Sequence, residues 1–357
     1  MRIQLYVLKI AATRILAAAA ILMGILQILD LLEVTNDILD RGLGMAGVAY
    51  YAALRAPRLI EQVAPIAVLA GGLFAFSQLA RESAIISMRA AGISAYRILG
   101  FAAPAAVAMM LLHFVCAQVI APRTDPTLDA WWRSTTPAAD RKAEGPRSFR
   151  VGDDLVIAAA STPDGRALTT VKIYRRDKTG RLVERIEAPT AKLGDKPGDR
   201  GWVLNNAVTT RFNGDKAEVV TAGAMTWTSR LRPDDVQALF SDNPVPSASS
   251  ARRALLNGGT DRPPSYYETR LMAAFAGPFG AIIMLLLSAP VALGSFRSTQ
   301  GAMLLVSGLA AGLLFLVING LLTALGEGGA ISPFLAVWGA PVIFGALAVT
   351  VLVSLEG

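Results

Sequence analysis

One histidine, His113, and one cysteine, Cys116, stand three residues apart in an apolar run, and the chain holds no second copy of either. A zinc site on paired histidines and an internal disulfide are therefore excluded within one chain, no metal site is expected, and with the lone histidine inside an apolar run no Ser–His triad is expected either. His113 reads as a packed helix residue and Cys116 as a small buried apolar one. No GxxxxGK[ST] loop occurs, so the chain does not hydrolyse a nucleoside triphosphate by that route. Asp30, Glu33 and Glu61 sit near the ends of apolar runs. An ion-driven pathway needs carboxylates deep inside them, so their positions weaken that reading. What remains is cationic and polar: Arg55, Arg58, Arg123, Arg133 and Arg270, with Gln27 and Asp30, lie near the run ends. Guanidinium groups there either capture anionic phosphates or snorkel from the hydrocarbon to its interface, and residue type alone leaves both open.

A second feature is the stretch LARESAIISMRAAGIS, residues 79–94, which is too short and too charged to cross a bilayer. At 100° per residue, Ala84, Met88 and Ala91 fall on one face and Glu82 with Arg89 on the opposite one. Gly92 can end such a helix. An amphipathic helix of this kind, expected at about 81–92, lies on a lipid surface or docks into a groove on a partner protein.

The elements that hold these residues are mostly membrane spans. The chain has 357 residues, 53% hydrophobic and 17% charged, against about 25% charged in soluble domains. Crossing the hydrocarbon takes about 20 apolar residues, and six segments qualify: 10–29, 59–80, 96–122, 270–293, 302–325 and 333–355. The first lacks a small-residue cleavage pattern and is expected to be retained. Arg2, Lys9 and Arg14 flank the first run, Arg81, Arg89 and Arg97 lie between the second and third, and Arg297 lies between the fourth and fifth. By the positive-inside rule, both termini and the 81–97 loop face the cytoplasm.

Between the third and fourth runs the composition becomes that of a soluble domain. Its β-branched stretches are broken by turn signals at Gly152–Asp153, Asp164–Gly165, Lys178–Thr179–Gly180 and Asn213–Gly214. About eight short strands are expected, in a sandwich, jelly roll or open barrel. The organisation is then 1–121 with three spans, 122–241 as the β domain, 242–267 as a Pro/Ser/Gly-rich connector and 268–357 with three spans. The net charge of +7 is spread without a basic run, so nucleic acid is not an expected partner.

The LAxxSxxxxMxAAGIS core of the short stretch resembles the cytoplasmic helix of the LptF/LptG family of lipopolysaccharide-export permeases. YYAALRAPRLIEQVAPIAVLAGGLFAFSQLAR, GRLVERIEAPTAKL, GWVLNNA, GPFGAIIMLLLSAPVALGSFR and GEGGAISPFLAVWGAPVIFG are similar to the family's second span, β domain, fourth span and last span, so the likeness covers essentially the whole chain. The SAPVAL and GEGG segments look more like the LptG branch. The resemblance implies a six-span helical membrane protein with an inserted jellyroll-like periplasmic domain, in the bacterial inner membrane. It implies a non-catalytic subunit that pairs with LptF, is driven by a dimeric cytoplasmic ATPase, LptB, which uses ATP and Mg, and hands lipopolysaccharide to LptC and the periplasmic bridge. The chain itself would bind no cofactor. Arg81, Glu82, Ala84, Met88 and Arg89 would form its ATPase-coupling helix, with spans 1 and 5 at lateral gates. In two places the sequence departs from the family. Ala84 follows Ser83 where the family has a glutamate, and Gln27, Glu33 and Val34 stand near the outer end of span 1, where family members place lysines. Two other classes remain open at this point: a membrane-anchored scaffold or receptor, and an ion-driven lipid transporter.

Overall fold

The computed structural model describes residues 2–137, 145–162, 164–177, 179–194, 201–213, 216–241, 245–293 and 299–356. The chain divides into two compact units, Met1–Asp125 with Leu271–Gly357, and Pro126–Arg270.

The first unit is helical. α1 covers Arg2–Asp40, α2 Gly44–Arg81, α3 Ala84–Ala90 and α4 Ala95–Val115. A π turn, Cys116–Ile120, leads into α5, Ala121–Thr135. Six helical segments among the described residues are long and apolar enough to cross a membrane, the six expected from hydropathy. Span 3 was expected to stop at Pro122, but it continues to Thr135. Proline is tolerated in the first helical turn, where its missing N–H costs least, and the wider π turn just before it accommodates the change. Arg297, used above for orientation, lies outside the described residues.

Span 2 is the centre of this unit: 61% of its apolar window is buried, against 6% for span 1 and 17% for span 5. Its adjacent glycines explain the difference. A Cβ on Gly71 would fall 2.6 Å from the Ile15 nitrogen of α1, and one on Gly72 would fall 3.0 Å from Ser288 Cβ of span 4. Span 2 thus meets the backbone of α1 at Gly71 and the Ser288 side chain of span 4 at Gly72. Close approach of small residues is the main source of helix association where the solvent is itself apolar.

The second unit is built on a seven-stranded antiparallel sheet. Its strands are β1 (Arg147–Val151), β2 (Asp154–Ala158), β3 (Ala160–Ser161), β4 (Ala167–Arg176), β5 (Leu182–Leu193), β6 (Trp202–Asn213) and β7 (Lys216–Trp227). The order is β1-β2-β4-β5-β6-β7 with β3 also on β4, a plain meander among the described residues. Alternate residues of β5 and β6 are buried, and Phe149, Ile173, Ile186, Trp202 and Leu204 form one apolar layer. Gly152 takes φ +62 in the expected β1–β2 turn, and Asn213 pairs with Lys216 at the last hairpin. Lys178 and Gly214, named as turn residues, lie outside the described residues.

Two helices here were not expected. α6 (Pro233–Leu239) places Val236 and Leu239 in the sheet's apolar layer. α7 (Ala248–Asn257) occupies the connector, which composition alone marked as irregular. Its start is a Ser247 cap, whose side chain accepts from Ser250 N at 3.3 Å. Such a cap turns a serine-rich run into a helix start. Arg253 then reaches Asp235 of α6 at 3.2 Å.

The glycine contact gives a direct test. Gly71→Val should overpack the α1–α2 crossing and destabilise the protein by about 1–3 kcal/mol, read as a lower unfolding midpoint in detergent. Gly24→Val, at a position with open space around it, should leave the midpoint close to native.

Candidate functional site

The short helix α3 is held between two breaks. α2 runs through Arg81, Glu82 caps it, and Ser83 takes a left-handed conformation at φ 56 before α3 begins. Gly92, at φ +80, ends the segment, and Ser94 caps α4 by accepting from Arg97 N at 3.4 Å. Left-handed backbone is rare outside glycine, so the α2–α3 turn is tightly specified. Ile85 and Met88 are buried in the membrane unit's own core, at 3% and 6% exposure. Ile86, at 63%, faces outward, as do Ser87, Arg89 and Ala90.

This corrects the helical-wheel reading in two ways. The helix is Ala84–Ala90 and not 81–92, because Arg81 ends α2 and Ala91 is already the cap. Its buried face is centred on Ile85 and Met88, so Met88 anchors the helix to the spans, while Ala84 is half-buried. The wheel included residues beyond the helix ends, and that shifted its apparent face.

Glu82 lies off the helix and inside a polar network. Its carboxylate accepts from Gln78 Nε2 at 2.9 Å and Tyr6 Oη at 2.7 Å. These donors, Gln78 first, hold its carboxyl below the usual carboxylate range. Arg14 Nε and Nη2 donate to Gln78 Oε1 at 2.9 and 2.8 Å.

At the opposite ends of spans 1 and 2, the candidate residues separate into groups. Gln27 and Asp30 lie one turn apart on α1, and Arg55 reaches Asp30 at 3.3 Å. Gln27 Nε2 and Asp30 Oδ2 are buried with no hydrogen-bond partner among the described residues. Arg58 is only 8% exposed and is taken up internally, by Glu61 at 2.7 Å and by Asp125. It is therefore a clamp between span 2 and the start of α5, not a cation open to a ligand. Arg123 is exposed on α5.

In the other unit, Arg133 is half-buried with its Nε on Asp129 O at 3.4 Å, and Arg270 lies 5.5 Å from the Tyr266 ring centroid. Asp30 and Arg55 are brought together, with Gln27 one turn from Asp30 on α1. Asp125 went unnoticed as a site residue because its partner lies 67 positions away. The only local signal was the i,i+3 spacing of Arg58 and Glu61.

Six spans, an inserted β unit between the third and fourth, and a short helix seated between the second and third form one recognisable layout. The family described as lipopolysaccharide export system permease LptF/LptG matches residues 5–354. The chain belongs to this family. It is 24% identical over 347 residues to the lipopolysaccharide export system permease protein LptG of Haemophilus influenzae, covering 96% of this chain and 93% of the relative. It is 20% identical over 349 residues to LptG of Escherichia coli K12, covering 96% and 92%. Within the LptF/LptG frame the Ala84 departure has a definite location: it opens α3 on a half-buried flank, while Ile86 and Arg89 occupy the outer face.

The Arg58 clamp is testable by stability. Arg58→Met leaves the partly exposed Glu61 and Asp125 without their shared cation, and losing hydrogen bonds to charged groups costs about 1.5–3 kcal/mol. A clearly lower unfolding midpoint in detergent is expected. Arg58→Lys should recover only part of it, because an ammonium cannot fork to two carboxylates as a guanidinium does.

Proposed function

We propose that this chain is one permease subunit of a lipopolysaccharide exporter in the bacterial inner membrane. In this reading it pairs with an LptF-type subunit, and a separate LptB-type ATPase dimer supplies the energy by hydrolysing ATP with Mg. The permease lifts lipopolysaccharide out of the bilayer and delivers it through the β unit towards LptC and the periplasmic bridge. Both termini and α3 are cytoplasmic, and the β unit is periplasmic. The chain itself carries no cofactor and performs no covalent chemistry.

The observation that carries the reading is α3. Ile85 and Met88 fix it to the spans while Ile86 and Arg89 face outward, which suits a helix that docks on one side and transmits displacement on the other. An apolar anchor beside an arginine is a common centre for a protein interface. The lightly buried spans 1 and 5 agree with lateral gates shared with a second permease.

For the lipid, Gln27 Nε2 and Asp30 Oδ2 supply a donor and an acceptor without partners among the described residues. Sugar hydroxyls can satisfy both, and buried polar groups strongly favour being satisfied. Arg55 beside them and Arg123 are the cations assigned here to lipid phosphates. The structure gives Arg58 its own acids, so its role is to hold span 2 in place.

Two measurements test this. Ile86→Asp with Arg89→Glu should reduce co-purification of the ATPase by at least about tenfold, the effect of about 1.4 kcal/mol, with the spans still folded. Unchanged co-purification would remove α3 as the docking helix. Arg55→Glu should weaken photo-crosslinking to lipopolysaccharide, and crosslinking at the native level would remove Arg55 from the lipid path.

A further inference from the structure

The α2–α3 turn is joined to α1 as well as to α2. Tyr6 of α1 donates to the Glu82 carboxylate at 2.7 Å, and the same carboxylate accepts from Gln78 Nε2 at 2.9 Å. Gln78 in turn accepts two hydrogen bonds from Arg14, at 2.9 and 2.8 Å. Tyr6 and Arg14 are eight positions apart on α1, about 12 Å along the helix axis, so the network grips span 1 at two heights. Bonds to an ionised carboxylate or from a guanidinium are directional and roughly twice as strong as neutral ones.

The residues on either side of Glu82 leave little slack. Ser83 is held in the left-handed region, and Ile85 and Met88 key α3 into the core. Span 1, in contrast, has only 6% of its apolar window buried. Its buried residues in this region are Val7, Ala11 and Ile15. A displacement of α3 that moves Glu82 and the end of α2 therefore pulls on Tyr6 directly and on Arg14 through Gln78. Sliding of span 1 past span 2 would break these bonds, whereas joint movement preserves them.

We propose that Tyr6, Arg14, Gln78 and Glu82 are positioning residues that form a relay from the α3 turn to span 1, so that motion imposed on α3 reaches that span. The proposal rests on α3 being the helix the ATPase moves. It assigns Glu82 a function distinct from docking: its carboxylate is occupied inside the chain.

The test uses the complete complex, with partner permease and ATPase, in phosphatidylethanolamine–phosphatidylglycerol vesicles containing lipopolysaccharide. Three quantities are read: ATPase co-purification, ATP hydrolysed, and lipopolysaccharide transferred per ATP. Tyr6→Phe combined with Arg14→Met should leave the ATPase bound and hydrolysing while transfer per ATP falls by about five-fold, the lower end of typical coupling. Arg14→Lys, which keeps a donor for Gln78, should retain a near-native ratio. A native ratio in the double variant overturns the relay. A native complex that fails to hold the ATPase overturns the docking reading beneath it. If the double variant unfolds or sheds the ATPase, Tyr6→Phe alone decides: a lowered ratio with the ATPase bound supports the relay, and a native ratio rejects it.

Discussion

Two helices in hydrocarbon gain little by hiding apolar surface from a solvent that is equally apolar, so they hold where their backbones can come close. In this protein that constraint is met on span 2. Gly71 admits the backbone of α1 and Gly72 admits Ser288 of span 4, and the rest of the membrane unit is arranged around this contact. Span 2 also bears candidate residues at both ends: Arg55 and Arg58 towards one, Gln78 and the α3 turn at the other. Because span 2 is well packed, it can serve as the frame against which less buried spans move.

Polar groups are distributed in keeping with this. Arg58, Glu61 and Asp125 are engaged with one another, as buried charges must be. Gln27 and Asp30 keep one buried atom each without a partner among the described residues. In the β unit, Arg175 bridges Asp154 at 3.2 Å and Glu184 at 2.7 Å, and Arg211 reaches Glu184 at 3.1 Å. That network ties successive strands together across the sheet. It is structural, and its hydrogen bond and charge contact with Asp154 raise the Arg175 guanidinium pKa further.

Much of this was legible from sequence, for physical reasons that can be named. A run of about 20 apolar residues has few alternatives to a membrane helix, so all six spans were visible, although their ends were placed short where polar residues continue the helix, as at Asp125–Thr135. Period-two patterns and glycine turns revealed the strands. α7 was hidden because its composition resembles a linker and only the Ser247 cap signals a helix. The burial of Met88 and the engagement of Arg58 were invisible for a shared reason. Both depend on contacts with residues far along the chain, where neither spacing nor composition carries information. A short helix between spans 2 and 3 was legible in the spacing of the 79–94 stretch, but which of its faces is buried came only from the structure.

The central claim is that α3 is fixed to the spans through one face and offers the other to an ATPase. Thiol labelling in membrane vesicles tests it most directly, with Cys116 replaced by alanine and a single cysteine introduced as Ile86→Cys or Met88→Cys. The account predicts rapid labelling at position 86 that is suppressed when the ATPase is bound, and slow labelling at position 88 in either state. Equal labelling at the two positions, or labelling at 86 that the ATPase does not affect, would contradict it.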